Sequence, residues 1–280
     1  MLSTTARRAI AVLGAAACAA GLATPASAAP VPAGSKYVAL GDSFAAVGSL
    51  SNIQIPPSLL CGQASDNYAH VVAEKLGLSL DDVTCGWATT EDYWIPQLHP
   101  LPGTAFAPQR DAVTADTDLV TLTFGGNDNF ADKYIGACMT GFVTGLGPTC
   151  RELIELPTAA AIAPIGAKVQ AVIEDVQARA PHAKVMVAGY YELTNANEEC
   201  FPNIPKRPED RQFVADFIGA LNTQLQRAAE ATGATFVAAP ENGSMCTDST
   251  TLLGVPDNAV GFHPTAVGQA RMADAIIAAM

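Results

Sequence analysis

Three stretches of the chain hold residue types that together can transfer an acyl group. The first is "ALGDSFAAVG", Ala39 to Gly48, where the apolar run "KYVAL" stops at Gly-Asp-Ser. Ser43 is there either a turn residue, since Gly, Asp and Ser all favour turns, or a nucleophile, whose hydroxyl attacks a carbonyl once a base accepts its proton. The second is "TFGGNDNF". Gly125 and Gly126 permit a tight turn and a close backbone approach to a ligand, and Asn127 offers a side-chain amide. Alternatively, Asn127 or Asp128 caps a turn of helix. The third is "GFHPTAVGQARMADAI", in which Pro264 suits the first turn of a helix and holds His263 at a strand-helix boundary. His263 is a general base or a structural histidine. The other histidines offer less: His70 lies on an amphipathic stretch, and His99 and His182 each neighbour a proline. A fourth stretch, "TCGWATTEDYWIPQ", places the backbone N–H of Gly86 or Trp87 just after an expected strand, and its Tyr93, Trp94 and Ile95 read as core.

These residues must be held by the elements between them. Short apolar runs at 36–40, 118–124, 184–189 and 234–238, with a weaker one at 81–85, read as buried parallel strands. Amphipathic stretches separate them. "DNYAHVVAEKLG" carries Tyr68, Val71, Val72 and Leu76 at helical spacing, with a capping Asp66 or Asn67 before it and Gly77 after it. Helices are expected over 159–180, over 209–232, and from Pro264 to the C-terminus, the last with Val267, Ala270, Ala273, Ile276 and Ile277 on its buried face. Such alternation implies an α/β fold: a three-layer sandwich with a central, mainly parallel sheet and helices on both faces. In such a sheet, sites form beyond the carboxyl ends of the strands, the end at which Ser43 falls. Two long segments, 46–65 and 190–208, break the pattern; loops of that length are functional or pinned by cross-links, and each contains a cysteine.

Composition narrows the class further. Residues 1–28 have the three parts of an export signal: Arg7 and Arg8, an apolar run, and an Ala26-Ser27-Ala28 cleavage pattern. Residues 29–280 then form a single domain of about 250 residues, enough for a substantial core, and the protein is expected to be secreted and extracellular. Losing the two arginines takes the net charge from −12 to −14, and no cluster of Lys and Arg is present to neutralise phosphates, which excludes nucleic acid. The apolar run of the signal is too short and too rich in Ala and Gly for a stable membrane anchor. Six cysteines remain: Cys61, Cys85, Cys138, Cys150, Cys200 and Cys246. In an exported chain an even number reads as disulfides, with 15 pairings open; pairing in sequence order closes loops between neighbouring elements. The absence of any CxxC argues against a metal.

Taken in order, "GDSF", "CGWATT", "GGND" and "HPT" resemble the four blocks of the SGNH (GDSL-type) hydrolases, and their spread covers nearly all of the mature chain. The ATT followed by Pro-Gln, together with the six cysteines, resembles the secreted bacterial lipase and esterase branch. The resemblance implies that Ser43 is the nucleophile and His263 the base, with an oxyanion hole formed by the N–H of Ser43, the N–H of Gly86 or Trp87, and the Asn127 amide. Two positions depart from the pattern. Trp87 stands where the family has its donor glycine, and Val260 where it commonly has an Asp three residues before the histidine. The imidazole is then oriented by a backbone carbonyl near Val260 or by Asp257. The function implied is hydrolysis of a carboxylic ester or lipid by a monomer that uses no cofactor and no metal. The alternatives are a polysaccharide acetyl esterase, and a secreted binding protein of the same fold that Trp87 and the lost Asp have impaired.

Overall fold

A computed structural model of the chain describes residues 31–54, 60–98, 104–128, 136–154, 159–194, 205–241 and 262–280. The export signal, Cys200, Cys246, His99, Asp257 and Val260 lie outside the described residues. In chain order the elements are β1 (Lys36–Gly41), α1 (Ser43–Ala46), α2 (Tyr68–Leu76), β2 (Ser79–Asp82), β3 (Gln97–Leu98), β4 (Ala105–Phe106), β5 (Thr117–Thr123), α3 (Gly136–Thr144), α4 (Cys150–Leu153), α5 (Ala159–Arg179), β6 (Lys184–Ala188), α6 (Pro208–Thr232), β7 (Thr235–Val237) and α7 (Ala266–Ala278).

The central sheet has the order β2-β1-β5-β6-β7, and every neighbouring pair in it is parallel. Helices cover both faces, so residues of the inner strands β1, β5 and β6 are mostly buried whichever way they point, whereas Ser79 and Asp81 of the edge strand β2 are exposed. Tyr37 to Leu40 of β1 and Leu119, Val120 and Leu122 of β5 have no exposed surface. This explains why the strands read as continuous apolar runs rather than alternating ones. Each such Val or Leu contributes roughly 1.5–3 kcal/mol by burial. Helices α2 and α7 pack together, as do α5 and α6. The pairing Gly41↔Thr123 ends β1 and β5 at one level, which places the loops after both strands side by side.

Helix α2 follows the sequence signals closely. Asn67 caps it by accepting from the His70 N–H at 3.0 Å, and Gly77 closes it in the left-handed conformation. Two of the expected cross-links are present, Cys61–Cys85 and Cys138–Cys150; the first pins the 46–65 segment to the loop that follows β2. Other expectations need correction. The strand expected at 81–85 forms two residues earlier, as β2, because its ladder with β1 begins at Lys36↔Ser79. Helix α7 begins at Ala266 rather than Pro264, since Thr265 is its cap. Its buried face is Gly268, Gln269, Met272, Ala273 and Ile276, while Val267 is 45% exposed. The helix is turned by Gln269, whose amide is drawn inside to accept from the Tyr68 N–H at 3.1 Å and to donate to the carbonyls of Phe44 at 2.9 Å and Val47 at 2.5 Å. Tyr93 is core and Trp94 packs against it as expected, half-buried with the Arg110 guanidinium over its ring, but Ile95 is exposed.

Candidate active site

The nucleophile loop is shaped by the end of β1. Gly41 sits at φ 143°, and a Cβ there would lie 2.6 Å from the Thr123 carbonyl oxygen, so only glycine fits. Gln109 grips the same peptide on both sides: its Oε1 accepts from the Gly41 N–H at 2.7 Å and its Nε2 donates to the Gly41 carbonyl at 2.9 Å. Asp42 then donates its N–H to Thr123 across the sheet at 3.0 Å and caps α1 by accepting from the Phe44 N–H at 2.9 Å. Ser43 is the first residue of α1. Its Oγ lies 2.8 Å from His263 Nε2, a contact made across 220 residues of sequence. His263 lies two residues before Thr265, the cap of α7, and its ring rests 5.1 Å from that of Phe44. Val260 and Asp257, the two groups expected to orient the imidazole, lie outside the described residues.

The loop after β5 approaches from the neighbouring strand. Beyond Gly125 and Gly126, Asn127 donates one amide hydrogen to the Ala88 carbonyl at 3.0 Å; its second hydrogen is a further donor. Between Cys85 and Ala88 the backbone N–H groups divide. Gly86 donates to the Cys61 carbonyl at 2.7 Å and Ala88 to the Cys85 carbonyl at 3.1 Å. The N–H of Trp87 has no partner among the described residues, and neither does that of Ser43. Trp87 sits at φ 65°, in the left-handed region, with its side chain 70% exposed. The residue that replaces a glycine has therefore kept a glycine-like backbone and turned its indole outward. Asp128 ties the two loops together. Its buried carboxylate accepts from the Thr90 N–H at 2.9 Å, from the Thr90 hydroxyl, and from Lys168 at 3.1 Å.

Asp42 and Tyr190 were not singled out by the sequence. The Asp42 carboxyl is buried directly beside the nucleophile and accepts from the Tyr190 hydroxyl. Burial pushes its pKa from 3.8 up to about 7, outweighing the hydrogen bonds from Tyr190 and the Phe44 N–H, and the nearby Asp128 adds to the rise. Tyr190 follows β6, so the rule that sites gather beyond the carboxyl ends of parallel strands was the one available signal for it. Among the described residues, no three His, Cys, Asp or Glu side chains are grouped to hold a metal ion, and no helix is long and apolar enough to cross a membrane.

A serine in contact with a histidine at the carboxyl edge of a parallel sheet has counterparts among known proteins. Residues 39–271 match the sequence model of the GDSL-like lipase/acylhydrolase family. The chain belongs to this family. This GDSL-like hydrolase is similar to Lipase 2 of Streptomyces coelicolor, with 37% identity over 239 residues, spanning 78% of this chain and 77% of that protein. Among solved structures it is similar to phospholipase A1 from Streptomyces albidoflavus, with a TM-score of 0.70, 26% identity, and coverage of 89% of this chain and all of that one. The extracellular lipase of Streptomyces rimosus shares the fold, with a TM-score of 0.69, 23% identity, and coverage of 88% of this chain and all of that one. The GDSL-like hydrolase is accordingly a serine ester hydrolase of the lipase and esterase type.

Proposed function

We propose that this chain is a secreted carboxylic ester hydrolase that works through an acyl-enzyme on Ser43. The observation that carries the reading is the 2.8 Å contact between Ser43 Oγ and His263 Nε2, a hydrogen-bond distance suited to direct proton transfer. As Ser43 Oγ bonds to the ester carbonyl carbon, its proton passes to His263 Nε2. The carbonyl oxygen gains a full negative charge, which falls to the N–H of Ser43, the N–H of Trp87 and the free amide hydrogen of Asn127. Gly86 is set aside as a donor because its N–H is already engaged by Cys61. When the tetrahedral species collapses, the alcohol leaves with the proton from His263. His263 then takes a proton from water as that water attacks the acyl-serine, and gives it to Ser43 Oγ as the second tetrahedral species collapses, the bond from Ser43 Oγ to the acyl carbon breaks and the acid is released. The imidazole must carry its other proton on Nδ1 for Nε2 to act as base; a carbonyl near Val260 or the Asp257 carboxylate is proposed to hold that tautomer. A close Ser-His pair argues against the impaired binding protein, since the outward-facing Trp87 does not obstruct it.

Secretion is proposed from the 1–28 signal pattern and is supported by the disulfides Cys61–Cys85 and Cys138–Cys150, which persist in oxidising compartments. The proposed substrate is an ester or lipid, in keeping with the relative named Lipase 2. The test is hydrolysis of p-nitrophenyl esters of short and long acyl chains by the wild-type protein and Ser43→Ala. The reading expects turnover by the wild type and at least about a thousandfold loss in the variant. Equal rates would refute it, and release of acetate from acetylated xylan without cleavage of longer esters would redirect it to the polysaccharide acetyl esterase.

A further inference from the structure

We propose that Tyr190 is a positioning residue that sets the spacing between the nucleophile and the oxyanion donors, an inference that rests on the Ser43 acyl-enzyme reading. Its side chain is buried at the junction of the loops that follow β1, β5 and β6. The hydroxyl donates to the Asp42 carboxylate and accepts from the Gly126 N–H at 2.9 Å. One oxygen thus bridges the residue before Ser43 to the residue before Asn127. The ring meets Phe44, the residue after Ser43, edge-on at 4.9 Å, and Phe44 in turn lies 5.1 Å from the His263 ring.

Tyr190 is itself held in place. The Asn222 side chain on α6 pairs with its backbone on both sides, accepting from the Tyr190 N–H and donating to the Tyr190 carbonyl, each at 2.8 Å. The approach also accounts for the second glycine of "GGND". A Cβ on Gly126 would lie 3.0 Å from Tyr190 Cε1 and 3.1 Å from its hydroxyl oxygen. A bare backbone at Gly126 is what lets the phenol reach the peptide N–H. Strands β1 and β5 fix where their loops begin, but the tips that carry Ser43 and Asn127 extend beyond the ladder. There the Tyr190 hydroxyl links them directly, through Asp42 and Gly126.

Acyl transfer needs the reacting groups held to within about half an ångström, and displacement of about 1 Å costs on the order of a hundredfold. Tyr190→Phe keeps the ring and removes the bridge. The expected result is a fall in kcat of about 30-fold with KM changed less than about threefold, and with melting still well above the assay temperature. Sites competent to react are counted by stoichiometric labelling with a fluorophosphonate, so that rates are expressed per active site. Positioning also predicts non-additivity: once Asn127→Ala has removed the amide donor, Tyr190→Phe should reduce kcat at least about fivefold less than it does in the wild type. Wild-type kcat in Tyr190→Phe overturns the inference, and so does a loss that multiplies in full with that of Asn127→Ala. If Tyr190→Phe does not fold, Asn222→Ala, which frees the Tyr190 backbone, is measured in the same cycle, with the same expected and overturning results. The underlying reading is scored separately by Ser43→Ala. An active Ser43→Ala defeats the acyl-enzyme, whereas an inactive Ser43→Ala beside a fully active Tyr190→Phe defeats only the positioning role.

Discussion

Replacing Asp42 by asparagine should make the protein's stability less sensitive to pH, by an amount set by the burial of that carboxyl. In the unfolded chain an aspartate titrates near 3.8, while in the folded protein burial raises Asp42 to about 7. A raised pKa means that the folded state holds the proton more tightly than the unfolded one. The contribution of Asp42 to stability is therefore fully present below pH 3.8 and is lost as pH rises through about 7. Three pH units at about 1.4 kcal/mol each give a loss of about 4 kcal/mol between pH 4 and pH 8. Asparagine has no charge to bury, so other titrating groups cancel when the two proteins are compared. The assay is urea unfolding with disulfides intact at pH 4, 6 and 8. The free-energy difference between Asp42→Asn and wild type should move in favour of the variant by about 4 kcal/mol over that range. A difference that stays constant with pH would show that Asp42 titrates as an ordinary aspartate and that its burial is not what governs it.

Asn127→Ala should fold normally yet lose about 100- to 1,000-fold in kcat, about 2.7–4 kcal/mol of barrier, read from ester turnover at saturating substrate. Trp87→Gly should raise the urea-unfolding free energy by about 1 kcal/mol, because the left-handed backbone strains a bulky residue and an indole 70% exposed contributes little burial; an unchanged or lower stability contradicts this. Replacing Cys61 and Cys85 by serine opens a cross-link between positions 24 apart and should reduce stability by about 3 kcal/mol. Because Cys61 also receives the Gly86 N–H, the same variant should lose kcat per folded molecule, measured by active-site labelling.

The sequence made the scaffold readable because the sheet is parallel and buried on both sides. Its inner strands appear as largely apolar runs, and helices such as α2 are bounded by recognisable caps, Asn67 and Gly77. Ser43 was legible as the end of such a run and His263 as the residue ahead of a Pro at a helix start, 220 residues apart yet in contact. Which of the Gly86 and Trp87 N–H groups is engaged was not legible, since it depends on which one the Cys61 carbonyl captures, a contact that crosses the disulfide. Gln269 was hidden for a similar reason: a polar side chain on a helix reads as solvent-facing until its three backbone partners from α1, the loop after it and α2 are known. Asp42 and Asp128 looked like turn or cap residues, and their work of joining one loop to the next appears only when those loops are placed together.

The central claim, that Ser43 is the acylated nucleophile and His263 its base, is tested most directly by treating the wild-type protein and His263→Ala with a fluorophosphonate and mapping the adduct by peptide mass spectrometry. One adduct per chain is expected, on Ser43, with a labelling rate at least about a thousandfold lower in folded His263→Ala. An adduct on another residue, no adduct on correctly disulfide-bonded protein, or equal labelling of the two proteins would contradict it.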